Sequence, residues 1–267
     1  MKHRSGVRLL ALGVALLVGS LAFACDDGGK DTAPPAPTAT PTAVPLEETL
    51  PLERFSYVAT LTLRERGPAS EAREVVVSTE GTYQSPDRHA FTYSTRWGEG
   101  SLTESAVIIG EQVWLRRADE PWREAGGGDQ RAAELLGSAY TAFKPNFLGG
   151  AEFDEVRESV RRLPAADEMV NGVLTSHYQV GPAGQAFFES FLASGELASG
   201  IEDLSWELWL AQDGGWPVRL LAKATVTSDL KILDELNLRA PTTWVLRIDV
   251  SRPNDPTLTV RAPGDGG

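Results

Sequence analysis

The strongest constraint on how this chain can fold is a period-two alternation of apolar and polar residues that returns in short runs. Phe55, Tyr57, Ala59, Leu61 and Leu63 alternate with Ser56, Val58, Thr60, Thr62 and Arg64. Successive side chains of a strand point to opposite faces, so such a run buries one face and wets the other, which a helix cannot do. The period returns at 73–83, with Val75, Val77 and Tyr83 on one side, and again with His89, Phe91, Tyr93 and Trp97. A fourth run ends in Val107-Ile108-Ile109, and Gln112-Val113-Trp114-Leu115-Arg116 is the fifth. The breaks between them are turn chemistry: Gly67-Pro68, Ser85-Pro86-Asp87, Gly98-Glu99-Gly100 and the two-residue Gly110-Glu111. Short turns join neighbours antiparallel, so this half reads as a meander that stops after Pro121-Trp122.

The middle of the chain changes period. After Gly126-Gly127-Gly128, Asp129 is placed to cap a helix. Ala132, Leu135, Leu136, Ala139, Tyr140 and Phe143 then recur at helical spacing, and Pro145 ends the pattern. Residues 153–163 are ambiguous: Phe153, Val156 and Val160 fit a helix, but Pro164 truncates it. Asn171-Gly172 turns into a strand at 173–180, and Phe187, Phe188, Phe191 and Leu192 cluster on one side of a second expected helix at 185–197. Alternation resumes with Trp206, Leu208 and Leu210, with Leu220, Ala222, Ala224 and Val226, and with Trp244, Leu246, Ile248 and Val250. Residues 228–237 read as a short helix or flap, and 258–260 as a weak edge strand. The expected fold class is α+β: one curved antiparallel sheet, an unclosed half-barrel of about 9–11 strands, with helices packed on its concave face.

The N-terminus carries a different signal. Lys2, His3, Arg4 and Arg8 precede sixteen small or apolar residues at 9–24, which run into Cys25, the only cysteine. A basic start, an apolar stretch and a small-residue exit are an export signal, shorter than the ~20 residues of a membrane span. The exit Leu21-Ala22-Phe23-Ala24-Cys25 resembles the lipobox of bacterial lipoproteins. That resemblance implies cleavage before Cys25 and a diacylglycerol on its thiol. An ordinary signal cleaved after Ala24 is the alternative, and the position of a lone cysteine at the junction favours lipidation. The expected parts are a signal peptide at 1–24, a lipidated cysteine and Thr/Pro-rich linker at 25–51, and one domain at 52–267. The linker contains Pro34-Pro35-Ala36-Pro37 and Thr40-Pro41-Thr42. In polyproline form it reaches at most ~80 Å, a stalk on the outer side of the cell membrane.

Composition narrows the function. The whole chain has a net charge of −12, and loss of residues 1–24 removes three basic residues and no acid, leaving −15. A surface this acidic has no electrostatic basis for holding nucleic acid. Without a second cysteine, neither a disulfide nor a thiolate metal site can form. His89 and His177 lack any metal-ligand spacing and read as structural or surface residues. Ser228-Asp229-Leu230-Lys231 matches the Ser-x-x-Lys of penicillin-binding enzymes but has neither partner motif. No nucleophile elbow or phosphate loop is present, so an enzyme, a metal and a cofactor are not expected.

Three stretches taken with the strand plan resemble the LppX/LprAFG group of exported lipoproteins, which share the fold of the periplasmic lipoprotein carrier LolA. They are Val170-Asn171-Gly172-Val173-Leu174-Thr175-Ser176-His177-Tyr178, Trp206-Glu207-Leu208-Trp209-Leu210 with Asp213-Gly214-Gly215-Trp216-Pro217-Val218-Arg219, and Gly110-Glu111-Gln112-Val113-Trp114-Leu115 with Pro121-Trp122. The resemblance covers 55–260 and implies helices plugging a half-barrel around an apolar, acyl-binding cavity. It supplies no shared catalytic residues. Expected cavity-lining residues are Phe91, Tyr93, Trp97, Leu136, Tyr140, Phe187, Phe188 and Phe191, with Cys25 the lipid anchor. The implied function is binding of lipid or acyl chains by an extracytoplasmic, membrane-anchored protein, for lipid or lipoprotein transport or presentation. A related domain in an envelope-stress sensor leaves open a non-transporting sensor or protein-interaction module with an envelope protein partner, and a third alternative is a passive surface lipoprotein whose work is in the stalk and acidic surface.

Overall fold

The computed structural model describes residues 51–67, 72–126, 128–133, 135–136, 159–181, 201–227, 233 and 238–264. Its strands are β1 (Arg54–Glu65), β2 (Glu74–Gln84), β3 (Arg88–Trp97), β4 (Gly100–Ile109), β5 (Gln112–Arg117), β6 (Arg123–Glu124), β7 (Val160–Val170), β8 (Val173–Val180), β9 (Ile201–Ala211), β10 (Pro217–Val226) and β11 (Thr242–Ser251). They form one sheet in the order β6-β5-β4-β3-β2-β1-β11-β10-β9-β8-β7. Every pairing is antiparallel. The first and last strands lie side by side at the centre, Leu61 opposite Leu246. From there the chain runs outward along one wing and returns along the other, so residues 125–159 join the two edges.

The short turns explain the meander. Gly110 takes φ +59° between β4 and β5, and Asn171-Gly172 takes φ +52° and +80° between β7 and β8, the left-handed pair that matches strand twist. The edges are blunt: β6 has two residues, and β7 loses register between Arg162 and Asp167, across Pro164. Proline has no N–H for the ladder and is tolerated on an edge strand.

The expected α+β layering is overturned. Among the described residues 63% are strand and 5% helical, with no helix of seven residues or more. Three stretches not read as strand pair into the ladder instead: 160–170, 123–124 and 201–204. Each satisfies its backbone donors and acceptors by extending a neighbour, which local apolar spacing does not report. Asp129 does cap a helical turn, Oδ1 accepting from the Ala132 N–H at 3.0 Å. Residues 137–158, 182–200 and 234–237, with most of the expected helices, lie outside the described residues. Residues 258–260 are not a strand, yet Leu258 and Val260 are buried. Side chains at the end of the β2–β3 hairpin hold them: Gln84 Oε1 accepts from the Val260 N–H, and Arg88 donates to the Val260 carbonyl.

One face of the sheet carries the core. Phe55, Tyr57, Ala59, Leu61 and Leu63 are all at most 4% exposed, as are Leu220, Leu246, Ile248 and Leu208 in the neighbouring strands. Each Leu or Ile buried this fully stabilises the fold by ~1.5–3 kcal/mol relative to exposure. Ala132, Leu135, Leu233 and Leu238, from outside the strands, belong to the same cluster.

Candidate functional site

The inner face is the candidate site, and alternation decides its lining. Its β1–β3 part is aromatic. The ring centroids of Phe55 and Tyr83 lie 5.5 Å apart, and those of His89 and Phe91 4.7 Å apart. His89, only 3% exposed, shares a 2.6 Å hydrogen bond between its Nε2 and the Tyr57 hydroxyl. Burial pushes its pKa down to about 3, so the imidazole is neutral. Gly81 makes room for these rings. A Cβ there would lie 2.7 Å from the Ala90 carbonyl oxygen and 2.9 Å from both Phe91 Cβ and the Tyr57 hydroxyl. In the β8–β11 part Val180, Leu208, Val218, Leu220 and Val250 are buried together with Trp206 and Trp244.

One cross-strand row interrupts this apolar surface. Thr79 pairs with Ala59 on one side and Tyr93 on the other, and Tyr93 pairs with Glu104, which faces Arg117. Thr79 is 1% exposed and Glu104 9%. The Thr95 hydroxyl donates to the Tyr93 hydroxyl at 2.7 Å. Arg131, in the helical turn after Asp129, donates to Glu104 Oε1 through Nε at 3.1 Å and Nη2 at 2.6 Å. The Thr79 hydroxyl and the Trp244 indole N–H are buried without a hydrogen-bond partner among the described residues. Buried polar groups are nearly always paired, so these two mark the inner face as unusual.

The opposite face is polar and cross-linked. His177 stacks on Trp209 at 4.1 Å, and its Nε2 lies 2.9 Å from Glu207 Oε2. The Trp209 indole donates to Glu168. Arg219 sits over Trp209 and pairs with Asp249 at 2.7 Å. Among the described residues no three His, Cys, Asp or Glu side chains converge as a metal site.

The expected lining residues separate in space. Phe91 and Tyr93 are buried on the inner face. Trp97 shares their parity but is 46% exposed at the end of β3, its indole packed where a Cβ of Gly100 would stand. Leu136 packs against the core and borders a pocket of about 320 Å³ with Val113, Ala125 and Ala132. Tyr140, Phe187, Phe188, Phe191 and Cys25 lie outside the described residues. Thr79, Glu104 and Arg131 were not anticipated. A polar residue at an inward position of an alternating strand was the available signal for the first two: Thr79 follows Val75 and Val77, and Glu104 sits between Leu102 and Ala106. Nothing local marked Arg131.

No family model matches the chain, and no curated protein matches it. Among solved structures it is similar to a LolA superfamily protein from Nitrosomonas europaea, at 11% identity and a TM-score of 0.27 over 81% of this chain and 93% of that one. It is also similar to an outer membrane lipoprotein-sorting protein domain from Vibrio parahaemolyticus, at 14% identity and a TM-score of 0.20 over 76% and 87%. At these scores the likenesses carry no argument about function.

Proposed function

We propose that this is an exported lipoprotein that binds acyl lipid on the inner face of its open sheet and catalyses no reaction. In this reading residues 1–24 direct export, Cys25 carries the membrane anchor, 25–51 form the stalk and 52–267 the lipid-binding domain, akin to the LppX/LprAFG group. The observation that supports it best is the inner face itself, which carries a buried apolar cluster on both wings of a sheet whose edges do not meet. An acyl chain gains ~0.8 kcal/mol per methylene on leaving water, and a bilayer already supplies that gain. A protein surface of similar apolarity therefore exchanges lipid with a membrane at little net cost, which suits transport or presentation. The acidic surface is repelled by an anionic membrane surface, so the lipid on Cys25 does the tethering.

The test is native mass spectrometry of the Cys25→Ala protein purified from a bacterial host, with titration of a fluorescent fatty acyl probe. Co-purified lipid and saturable uptake of the probe are expected. Neither lipid in the spectrum nor any uptake would refute the reading.

A further inference from the structure

We infer that the polar row across the inner face is a headgroup subsite, and that the lipid it takes carries an anionic head, a carboxylate or a phosphate. This rests on the proposed lipid binding and adds the class of lipid. The row runs Thr79, Tyr93, Glu104 on successive strands, so at ~4.8 Å per strand it extends about 10 Å inward from the β4 side. At its outer end Arg117 pairs across from Glu104, and Arg131, 35% exposed, is the cation hydrogen-bonded to the Glu104 carboxylate.

Three features distinguish the row from ordinary core. Glu104 is a nearly buried carboxylate on a largely apolar face, and such a charge persists only with a partner. That partner spends two donors on one oxygen, Oε1, while its Nη1 lies 3.9 Å from Glu120 Oε2, so the guanidinium is not saturated. Guanidinium forks suit carboxylate and phosphate oxygens. At the inner end the Thr79 hydroxyl, 1% exposed, has no hydrogen-bond partner among the described residues. A donor held in this way is complete only when something brings an acceptor to it. An acyl lipid with an anionic head supplies both needs, its chains lying on the apolar surface and its oxygens along the row. Glu104 then acts as a placeholder: it holds Arg131 until the head competes for the same guanidinium.

The placeholder role predicts opposite effects from removing the two partners. Palmitate, hexadecyl phosphate and methyl palmitate are titrated against a bound fluorescent acyl probe in the Cys25→Ala protein. The two anions bind at least ~10-fold more tightly than the methyl ester, a charge-assisted contrast. Arg131→Gln weakens the anions ~10-fold and leaves the ester within ~2-fold, while Glu104→Gln strengthens the anions. A folding defect weakens all three ligands in both variants and cannot give opposite signs. Thr79→Val weakens anion binding without lowering the melting temperature of the lipid-free protein, because its hydroxyl has no bond to lose. The tighter anion identifies the head as carboxylate or phosphate. Equal binding of anions and ester, or Arg131→Gln and Glu104→Gln shifting the anions in the same direction, overturns the subsite while leaving lipid binding intact. Failure of all three ligands to bind overturns the lipid reading itself.

Discussion

Lowering the pH from 7.5 to 5 should destabilise this protein through one side chain, His89. In the folded chain its pKa is about 3, because burial disfavours the imidazolium. In the unfolded chain it returns to ~6.5. Between these values the unfolded state binds a proton that the folded state refuses, so stability falls as pH falls. At pH 5 the unfolded state gains about 1.5 pKa units of protonation free energy, or ~2 kcal/mol, and the loss continues towards pH 3. For a domain of this size, that corresponds to a melting temperature lower by ~4–8 °C. The depressed carboxylates act elsewhere. Asp255, held at about 2 by hydrogen bonds from the Thr257 hydroxyl and backbone and from Arg252, stabilises the fold above its unfolded pKa of ~4 and is lost only as pH falls through about 2. The assay is urea unfolding at pH 7.5 and 5 of the Cys25→Ala protein and of the same protein with His89→Gln. Glutamine keeps a polar partner for the Tyr57 hydroxyl and does not titrate. The parent should lose ~2 kcal/mol more than the variant over this window. Parallel losses in the two proteins would show that His89 takes up its proton in the folded state, and the argument from burial would fail.

Three further outcomes follow from the packing and the N-terminus. Gly81→Ala drives a Cβ to 2.7 Å from the Ala90 carbonyl oxygen, backbone that cannot swing aside, and should cost ~1–3 kcal/mol in urea unfolding. Leu208→Ala opens a void at a fully buried position between β8 and β10, and a loss of ~2–5 kcal/mol is expected in the same assay. A loss below ~0.5 kcal/mol would mean that the inner face there is loose rather than packed. Cys25→Ala should move the protein from the membrane pellet to the soluble fraction on cell fractionation, and unchanged pelleting would refute lipidation at this residue.

Much of the sheet was legible because alternation is a local property. The run from Phe55 to Leu63 announces both a strand and its buried side, and the same holds for Trp244 to Val250 and for Leu220 to Val226. Turns were legible for the same reason, since Gly110 and Asn171-Gly172 carry their backbone geometry in their own chemistry. The edges were not. β7 contains Pro164 and a register shift, and it is a strand because β8 offers a free ladder beside it. Residues 123–124 pair with Trp114 and Leu115 in the same way. Pairing with a neighbour leaves no periodic trace in so short or so broken a segment.

The candidate site divides along the same line. By itself the sequence determined that the chain has strands with one apolar face, that it is acidic, and that a lone cysteine closes an export-like segment. Each is a matter of residue type and short spacing. Only the tertiary structure decided that Thr79, Tyr93 and Glu104 form one row, since three strands must pair in one register to bring positions 14 and 11 residues apart side by side. It also decided that Arg131, 27 residues from Glu104, completes the row, and that Trp97 falls at an exposed strand end despite sharing parity with Phe91. Register and curvature are set by the whole sheet's hydrogen bonds and packing, and no local stretch of sequence contains them.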